Sequence, residues 1–323
     1  MLYKFVINDE GIVHRLPPGG LTTYPAQSVW VMHERFPFLK PFYFSFETEF
    51  SAAAALSWNI ANYYVAPLAA CLYLLFCYCG TKYMKNREPF DLRTPLKYWN
   101  LALAIFSFMG MVRVVPQLAC LVCSYGFEAS LASPPVYAYG HGAAGFWTLL
   151  FIYSKFFELV DTVFIILRKR PLSFLHWYHH ATVLLYTWDA YTWEQPAGIY
   201  FVAMNFSVHA VMYFYYFLAA QLRRPLSWGI FVTVAQISQM FVGVGVTFVS
   251  MYFAFSFPYR AFWRKEQIQD ALSHGHYITP KNLYWACLMY STYFYLFAEY
   301  FVKRYVKGKE HSRKAHKHCK HLQ

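Results

Sequence analysis

Several polar side chains that could carry chemistry lie inside long apolar segments of this chain. One segment holds His176, His179 and His180, at offsets of 0, 3 and 4 that place them on one face of a helix. Another holds Asn205 and His209, which are separated by one helical turn. Imidazole can act as a general base, a nucleophile or a metal ligand. The spacing therefore predicts two helices that present histidine to a common site.

Two further apolar segments carry polar stripes of their own. The segment before the histidines has a lysine, two carboxylates and a threonine at offsets of 0, 3, 6 and 7, namely Lys155, Glu158, Asp161 and Thr162. A later segment has Thr233, Gln236 and Gln239 at offsets of 0, 3 and 6. Residues at such offsets share one helix face. Because ionisable groups at membrane depth are costly and usually functional, we expect all four stripes to face one interior cavity.

The composition indicates that these segments cross a membrane. Of 323 residues, 58% are hydrophobic and only 14% are charged, whereas a soluble domain carries roughly a quarter charged residues. A disordered chain, a collagen-like chain and a small disulfide scaffold are also excluded. A transmembrane helix needs about 20 mainly apolar residues. The predicted fold class is all-α, a polytopic membrane protein with seven transmembrane helices at 56–79, 98–123, 142–167, 172–190, 197–220, 226–251 and 283–302.

The distribution of lysine and arginine predicts the orientation of these spans. The side that includes the C-terminus has 18 of them and the opposite side has 8, and cytosolic loops carry the excess. We therefore expect a non-cytosolic N-terminal segment 1–55, a membrane catalytic domain 56–302 and a basic cytosolic tail 303–323. Within the N-terminal segment, 28–50 is apolar and aromatic with interspersed charges, which predicts a helix on the membrane surface.

The same orientation places the polar stripes relative to the cytosol. At ~1.5 Å per residue, they lie about 6–20 Å from the predicted cytosolic ends of their spans. This depth predicts a pocket that opens to the cytosol. The net charge of +12 is scattered over short loops, so it indicates topology and contact with anionic lipid. No nucleic-acid partner is expected.

Two reactions use several histidines inside a membrane: di-iron oxygenation, as in a lipid desaturase or hydroxylase, and acyl transfer with imidazole as base or nucleophile. Two iron shells need about eight histidines, and the spans offer four, so iron is disfavoured. A single zinc ion is a weak alternative, because adjacent residues on a helix point about 100° apart. The polar stripes contain no cysteine, which disfavours a thiol nucleophile. A non-enzymatic seven-helix transporter would favour broken helices or an inverted repeat, and we find neither in the sequence.

The polar motifs, taken together, resemble those of the ELO-type very-long-chain fatty acid elongases. The resemblance covers about residues 50–305, and the Leu175–His180 context is most similar to the subfamily that acts on saturated and monounsaturated chains. The matching motifs are Lys155-x-x-Glu158-x-x-Asp161-Thr162, His176-x-x-His179-His180, Asn205-x-x-x-His209-x-x-Met212-Tyr213-x-Tyr215-Tyr216, Thr233-x-x-Gln236-x-x-Gln239 and Phe106-Ser107-x-x-Gly110-x-x-Arg113.

This resemblance implies a fold and an activity. Six of the seven helices would form an inverted barrel around an acyl tunnel in the endoplasmic reticulum membrane, with the N-terminus lumenal. The reaction would be condensation of a long-chain acyl-CoA with malonyl-CoA to give 3-oxoacyl-CoA, CO2 and CoA. The CoA thioesters are substrates, and neither a cofactor nor a metal is implied. The reductases and dehydratase of the elongation cycle would be partners.

The resemblance also suggests roles for individual residues. His179 would accept the acyl group as an acyl-imidazole, and His176 belongs to the same catalytic set. Asp161 and Glu158 would orient imidazoles, and Lys155 would balance their charge. Donors to the enolate and the oxyanion would come from His180, Asn205, His209, Tyr213 and Gln236. The CoA phosphates would meet a basic group at the cytosolic mouth, consisting of Arg168, Lys169, Arg170, Arg223 and Arg224.

Overall fold

A computed structural model describes residues 4–7, 13–16, 32–132, 136–256, 278 and 280–307. The basic tail beyond residue 307 lies outside the described residues, as do most of the N-terminal segment and most of the loop before the last helix. The segment ahead of the membrane body begins with a two-stranded antiparallel pairing of β1 (Lys4–Ile7) and β2 (Val13–Leu16), in which Lys4 lies opposite Leu16. Apart from this pairing and one bridge between Ser51 and His141, the regular structure of the described residues is helical.

The N-terminal segment then forms three short helices, which are α1 (Met32–Arg35), a 3-10 helix (Pro37–Phe42) and α2 (Ser45–Thr48). Among the described residues, the body that follows is formed by longer helices and by the four-residue helix α6. They are α3 (Ala53–Ala61), α4 (Val65–Met84), α5 (Arg93–Ala132), α6 (Val136–Tyr139), α7 (Gly142–Glu158), α8 (Val160–Leu167), α9 (Phe174–Thr192), α10 (Gly198–Leu222), α11 (Gly229–Ser256) and α12 (Pro280–Phe301), which continues as a π-helical turn over Val302–Lys307.

Every predicted span contains helix, but the spans differ in how well they fit a membrane. Within the described residues, four helices are long and apolar enough to cross it: α4, α10 and most of α5 and α11. The helices α9 and α12 are long enough but less apolar, because many of their side chains are aromatic or polar. The third predicted span is divided at Leu159 into α7 and α8, and the first is divided between α3 and α4.

Six of these units pack on each other in a closed ring. Around the ring, α5 packs on α10, α10 on α11, α11 on α12, α12 on α9, α9 on α7, and α7 on α5. The helix α4 lies outside the ring, against α8 and α9. The outer surfaces of α4 and α11 are apolar, with exposed Leu68, Leu72, Phe241 and Phe248. An apolar surface of this kind is unfavourable in water and suits contact with the hydrocarbon of a bilayer.

The packing of α5 against α10 depends on a glycine in α5. A Cβ on Gly110 would lie 2.4 Å from Cζ of Phe206 on α10, so any larger residue would displace the Phe206 side chain. Phe206 in turn packs on Phe106 and Trp147 within the main buried cluster. The motif Phe106-x-x-x-Gly110 therefore packs α5 against α10 next to Asn205, the neighbour of Phe206 in the sequence.

A buried ion pair joins the N-terminal segment to the helix ring. Nε of Arg113 lies 2.9 Å from Oε2 of Glu47, and Nε1 of Trp147 donates to the other carboxylate oxygen at 3.0 Å. Nη2 of Arg113 also donates to the carbonyl oxygen of Phe42 at 2.6 Å. Glu47 is fully buried, whereas Phe38 and its aromatic neighbours are exposed. The segment expected on the membrane surface thus also inserts one carboxylate between α5 and α7.

Candidate active site

The polar stripes meet at one cavity of about 740 Å³ that reaches the arginine-bearing ends of the helices. Most of the predicted site residues line it: Glu158, Asp161, His176, His179, His180, Asn205, His209, Tyr213 and Gln236, with Arg168, Arg170 and Arg223 at its mouth. Lys155, Lys169 and Arg224 do not line it. The expectation that four stripes share an interior therefore agrees with the geometry, and three residues lie behind or beside the cavity wall.

The histidine motif lies in the first two turns of α9. The helix begins after Ser173, whose Oγ accepts a hydrogen bond from the backbone N–H of His176 at 3.3 Å. The rings of His176 and His180 are close, with centroids 4.3 Å apart, as expected for residues one turn apart. The ring of His179 lies 5.6 Å from that of His180 and nearly perpendicular to it, at 85°. The three imidazoles are therefore adjacent but face different partners.

His176 is held by a chain of hydroxyl groups from α8 and α4, two helices outside the ring of six helices. Its Nε2 lies 2.9 Å from Oγ1 of Thr162 on α8, and that oxygen lies 2.9 Å from the hydroxyl of Tyr73 on α4. One ring nitrogen of His176 is thus engaged in a structural hydrogen bond. Tyr73 was not predicted as a site residue, because nothing distinguishes it from the other tyrosines of so aromatic a chain.

His179 and His180 differ from the other two histidines in their hydrogen bonds. Nδ1 of each is buried and has no hydrogen-bond partner among the described residues. The ring of His179 packs against Tyr293 of α12 at 4.7 Å, and the Tyr293 hydroxyl donates to the carbonyl oxygen of His179 at 3.1 Å. Because Nδ1 is buried against the protein, Nε2 is the ring nitrogen of His179 that can meet a ligand in the cavity.

A buried lysine fixes the orientation of the amide beside His209. Nζ of Lys155, on a side chain that is 1% exposed, lies 2.6 Å from Oε1 of Glu158 and donates to Oδ1 of Asn205 at 3.1 Å. Ammonium is a donor only, so Oδ1 of Asn205 must be its acceptor. The Nδ2 group of Asn205 then donates to Nε2 of His209, 3.1 Å away. It follows that His209 is neutral with its proton on Nδ1, which lies 4.0 Å from Oε1 of Glu158.

Asp161 departs from the role expected of it. Its two carboxylate oxygens accept hydrogen bonds from Nε1 of Trp99 on α5, at 2.6 Å, and from the Tyr213 hydroxyl on α10, at 2.8 Å. It therefore positions an indole and a phenol, where an imidazole partner was expected. Asp161 belongs to α8, which begins after the division at Leu159, whereas Lys155 and Glu158 belong to α7. Trp99 was not predicted from the sequence as a site residue, because its residue type alone does not indicate a hydrogen bond to Asp161.

The stripe on α11 mainly joins helices. Nε2 of Gln236 contacts Sδ of Met212 on α10 at 3.1 Å, and Oγ1 of Thr233 lies 3.2 Å from the hydroxyl of Tyr305. Both residues line the cavity. They link α11 to α10 and to the end of the last helix, so they hold the wall of the cavity in place.

Five arginines surround the mouth of the cavity, and two of them were not assigned to the site from the sequence. Arg168, Arg170 and Arg223 were expected, and Arg93 and Arg304 join them. Lys169 instead donates to the carbonyl oxygen of Lys85 at 3.1 Å. The sequence held a usable signal, because both added arginines belong to the same predicted cytosolic end. Guanidinium groups gathered at a cavity mouth suit a phosphate-bearing ligand.

No three His, Cys, Asp or Glu side chains in the described ranges are arranged around a common point where an ion could be held. His176 and His209 instead have protein partners on one ring nitrogen each, as described above. The arrangement thus offers two unengaged imidazoles, His179 and His180, beside two engaged ones, inside a cavity with a cationic mouth. Chemically, this suits transfer of a group from an anionic carrier to a ring nitrogen.

Comparison with known proteins identifies the family of this chain. The family described as "ELO: GNS1/SUR4 family" matches residues 58–313. "Putative fatty acid elongase 3" of Caenorhabditis elegans is 40% identical, over 81% of this chain and 77% of the relative. "Very long chain fatty acid elongase 6" of Gallus gallus is 39% identical over 84% of this chain and 96% of the relative, and "Very long chain fatty acid elongase 3" of Homo sapiens is 40% identical over 74% and 82%. The family match covers most of the chain, and the chain belongs to the ELO (GNS1/SUR4) family.

Proposed function

We propose that this protein condenses a long-chain acyl-CoA with malonyl-CoA to give 3-oxoacyl-CoA, CO2 and CoA. It is an acyltransferase of the 3-oxoacyl-CoA synthase type and a fatty acid elongase, as its family membership and the names of its relatives indicate. One observation carries the proposed chemistry. His179 lines the cavity and, like His180, has no hydrogen bond on its buried Nδ1, unlike His176, whose ring is tied to Thr162. The choice of His179 over His180 follows the resemblance to the elongase motifs.

In the first step, Nε2 of His179 attacks the thioester carbonyl of the acyl-CoA. The new C–N bond forms, the C–S bond breaks, and CoA leaves as a thiolate that takes up a proton. The imidazole loses its N–H proton in the overall step, so acyl-imidazole and CoA thiol result. Imidazole is a good leaving group, so the acyl carbon stays activated for the next step.

In the second step, malonyl-CoA binds and loses CO2, and the electron pair of the broken C–C bond becomes an enolate. The enolate carbon attacks the acyl carbon and the C–N bond breaks, so that His179 leaves as an imidazolate, which takes up a proton from water and is restored. The developing negative charge needs donors that are already oriented. Asn205 donates to Nε2 of His209 and so leaves the proton on Nδ1, where it can be donated; the remaining candidates are His180, Tyr213, Asn205 and Gln236.

The position of the cavity suits a substrate with a charged CoA part at the mouth and an apolar acyl chain inside the protein. The five arginines at the mouth would bind the phosphates of CoA, while the acyl chain would extend away from them between the helices. In this proposal the closed ring of α5, α7, α9, α10, α11 and α12 is an inverted barrel around the acyl chain, with its mouth in the cytosol. The protein would lie in the endoplasmic reticulum membrane with its N-terminus lumenal, and reductases and a dehydratase would complete the cycle.

The test is formation of product by membranes that contain the protein. Labelled malonyl-CoA and a long-chain acyl-CoA are supplied without reductants, so that the 3-oxoacyl product accumulates. Wild type should form it, and His179→Ala should not. Product that forms equally well in His179→Ala would contradict the histidine mechanism. A dioxygen requirement together with stoichiometric iron would favour the desaturase alternative, and movement of a lipid without any chemical change would favour a transporter.

A further inference from the structure

One glutamine of the polar stripe on α11 has no protein partner. Gln239 lines the cavity, and its side chain belongs to the buried polar residues of the protein. Its amide forms no hydrogen bond within the described residues, and neither amide atom is enclosed by protein in the way that Nδ1 of His179 is. Gln236, three residues earlier, differs because its Nε2 contacts Sδ of Met212. The amide of Gln239 is therefore free to bind a ligand in the cavity.

The contacts between α11 and α10 place Gln239 at the depth of a histidine. Because α10 ends and α11 begins at the mouth of the cavity, the two helices run in opposite directions. Gln236 on α11 is level with Met212 on α10, since the two side chains are in contact. Three residues further from the mouth, α11 reaches Gln239 and α10 reaches His209. At ~1.5 Å per residue, both steps are about 4–5 Å, so these two residues lie at about the same depth.

The contacts between α11 and α12 give the same result. A Cβ on Gly243, four residues after Gln239, would lie 2.7 Å from Cδ1 of Tyr290, so the two helices touch at this pair. Three residues back toward the mouth on α12 is Tyr293, whose ring lies 4.7 Å from that of His179. The free amide of Gln239 and the ring of His179 therefore share the cavity within about one helical turn in depth.

A bound acyl-CoA offers one suitable hydrogen-bond acceptor at this depth. The acyl chain is apolar, and the polar groups of CoA lie on the side of the mouth. The thioester carbonyl lies between them, beside the ring nitrogen of His179 that attacks its carbon. An amide that faces an apolar ligand without a hydrogen bond is unfavourable. The carbonyl oxygen is thus the acceptor that suits Gln239, whose Nε2 carries two N–H donors.

We propose that Gln239 donates a hydrogen bond to the acyl carbonyl oxygen as this oxygen becomes an oxyanion. This inference rests on the proposed function. When Nε2 of His179 attacks, one electron pair of the C=O bond moves onto the oxygen, which accepts the N–H of Gln239. The pair returns as the C–S bond breaks, and the CoA thiolate takes up the proton that the imidazole loses. A similar oxyanion forms when the enolate attacks the acyl-imidazole, so Gln239 serves both steps.

The test measures the two half-reactions in the purified protein. Release of CoA is followed after rapid mixing with a long-chain acyl-CoA alone, and 3-oxoacyl formation is followed after malonyl-CoA is added. Gln239→Met keeps the length of the side chain and removes its donors. Because loss of one oxyanion donor lowers a rate about 10²–10³-fold, we expect a loss of this size in the maximal rates of both half-reactions. The acyl-CoA concentration that gives half the maximal rate should change little, since a neutral carbonyl is a weaker acceptor than an oxyanion.

Thr247→Val is the matched control on the same helix. Oγ1 of Thr247 donates to the carbonyl oxygen of Gly243 at 2.8 Å, and this buried residue does not line the cavity. Both half-reactions should therefore keep the wild-type rate per folded molecule. Equal losses in Thr247→Val and Gln239→Met would overturn the inference, because loss of any buried polar group on α11 would then have the same effect.

Wild-type rates in Gln239→Met would also overturn the inference. So would a loss confined to the second half-reaction, because it would place Gln239 on malonyl-CoA. If Gln239→Met does not fold, Gln239→Leu, a smaller apolar side chain, decides by the same criteria. Absence of both CoA release and 3-oxoacyl product from wild type would contradict the proposed function instead.

Discussion

Nδ2 of Asn205 lies 3.1 Å from Nε2 of His209, one turn further along α10. Because Lys155 occupies the amide oxygen of Asn205, this contact can have only one direction, with the amide donating to the ring. The neighbouring buried ammonium thus determines, through one amide, which nitrogen of His209 carries the proton. This relationship links a residue outside the cavity wall to the chemistry inside it.

Asn205→Ala should therefore impair the second step more than the first. Loss of the amide frees the His209 ring to rotate and to change tautomer, and a misplacement of about 1 Å can lower the rate about 100-fold. Rapid mixing would measure the two half-reactions separately, as CoA release without malonyl-CoA and then as 3-oxoacyl formation. A variant that is slowed equally in both would show that Asn205 supports the structure in general, and a fully active variant would refute its role.

The Lys155–Glu158 pair should contribute to stability through its burial. The two side chains are 1% and 5% exposed, with 2.6 Å between Nζ and Oε1. Removing one partner of a buried pair lowers the free energy of unfolding by about 3–5 kcal/mol, because the other charge is left unpaired. Lys155→Met should thus lower the melting temperature in detergent, and the double variant Lys155→Met/Glu158→Gln should regain part of the loss. A double variant less stable than the single one would contradict this explanation.

Arg223 and Arg224 provide a matched pair for the cationic mouth. Both side chains are exposed, but Arg223 lines the cavity and Arg224 does not. A hydrogen bond to a charged group contributes about 1.5–3 kcal/mol, so Arg223→Gln should raise KM for acyl-CoA about 10–100-fold with little change in kcat. Arg224→Gln should stay close to wild type. Equal effects of the two substitutions in steady-state kinetics would show that only the general charge of this surface matters.

Glu47 should anchor the N-terminal segment without taking part in the reaction. Glu47→Gln keeps a partner for Trp147 but leaves the Arg113 guanidinium unpaired, which lowers the free energy of unfolding by about 3–5 kcal/mol. Exposed Glu49, two residues along, is the control, and Glu49→Gln should change stability by no more than about 0.5 kcal/mol. The activity per folded molecule should stay constant in both variants. The melting temperatures of the two variants, measured side by side, test this prediction. Equal melting temperatures would show that the N-terminal segment lies only on the surface.

The shared location of the polar stripes could be predicted from the sequence because ionisable side chains are costly in contact with lipid. Glu158, His179 and His209 all line one cavity, as ionisable residues on apolar helices must face an interior. Their partners could not be predicted in the same way. Aromatic residues make up 22% of the chain, so the residue type of Trp99 or Tyr293 gave no hint of a hydrogen bond to the site.

Two structural features depended on tertiary contacts that no local pattern encodes. The helix is divided at Leu159 although neither proline nor glycine is present there, and Asp161, beyond the division, accepts hydrogen bonds from Trp99 and Tyr213. Glu47 lies in a short helix of four residues whose own sequence indicates a surface position. Its burial becomes understandable only with Arg113 and Trp147 beside it.

The most direct test of the central claim is the mass of the protein after exposure to acyl-CoA alone. Purified wild type is incubated with a long-chain acyl-CoA and no malonyl-CoA, and intact-mass and peptide analysis then locate any added acyl group. We predict one acyl group per chain on His179, its absence in His179→Ala, and its disappearance when malonyl-CoA is added. An acyl group on any other residue, or an unmodified chain in a preparation that forms 3-oxoacyl product, would contradict the acyl-imidazole mechanism.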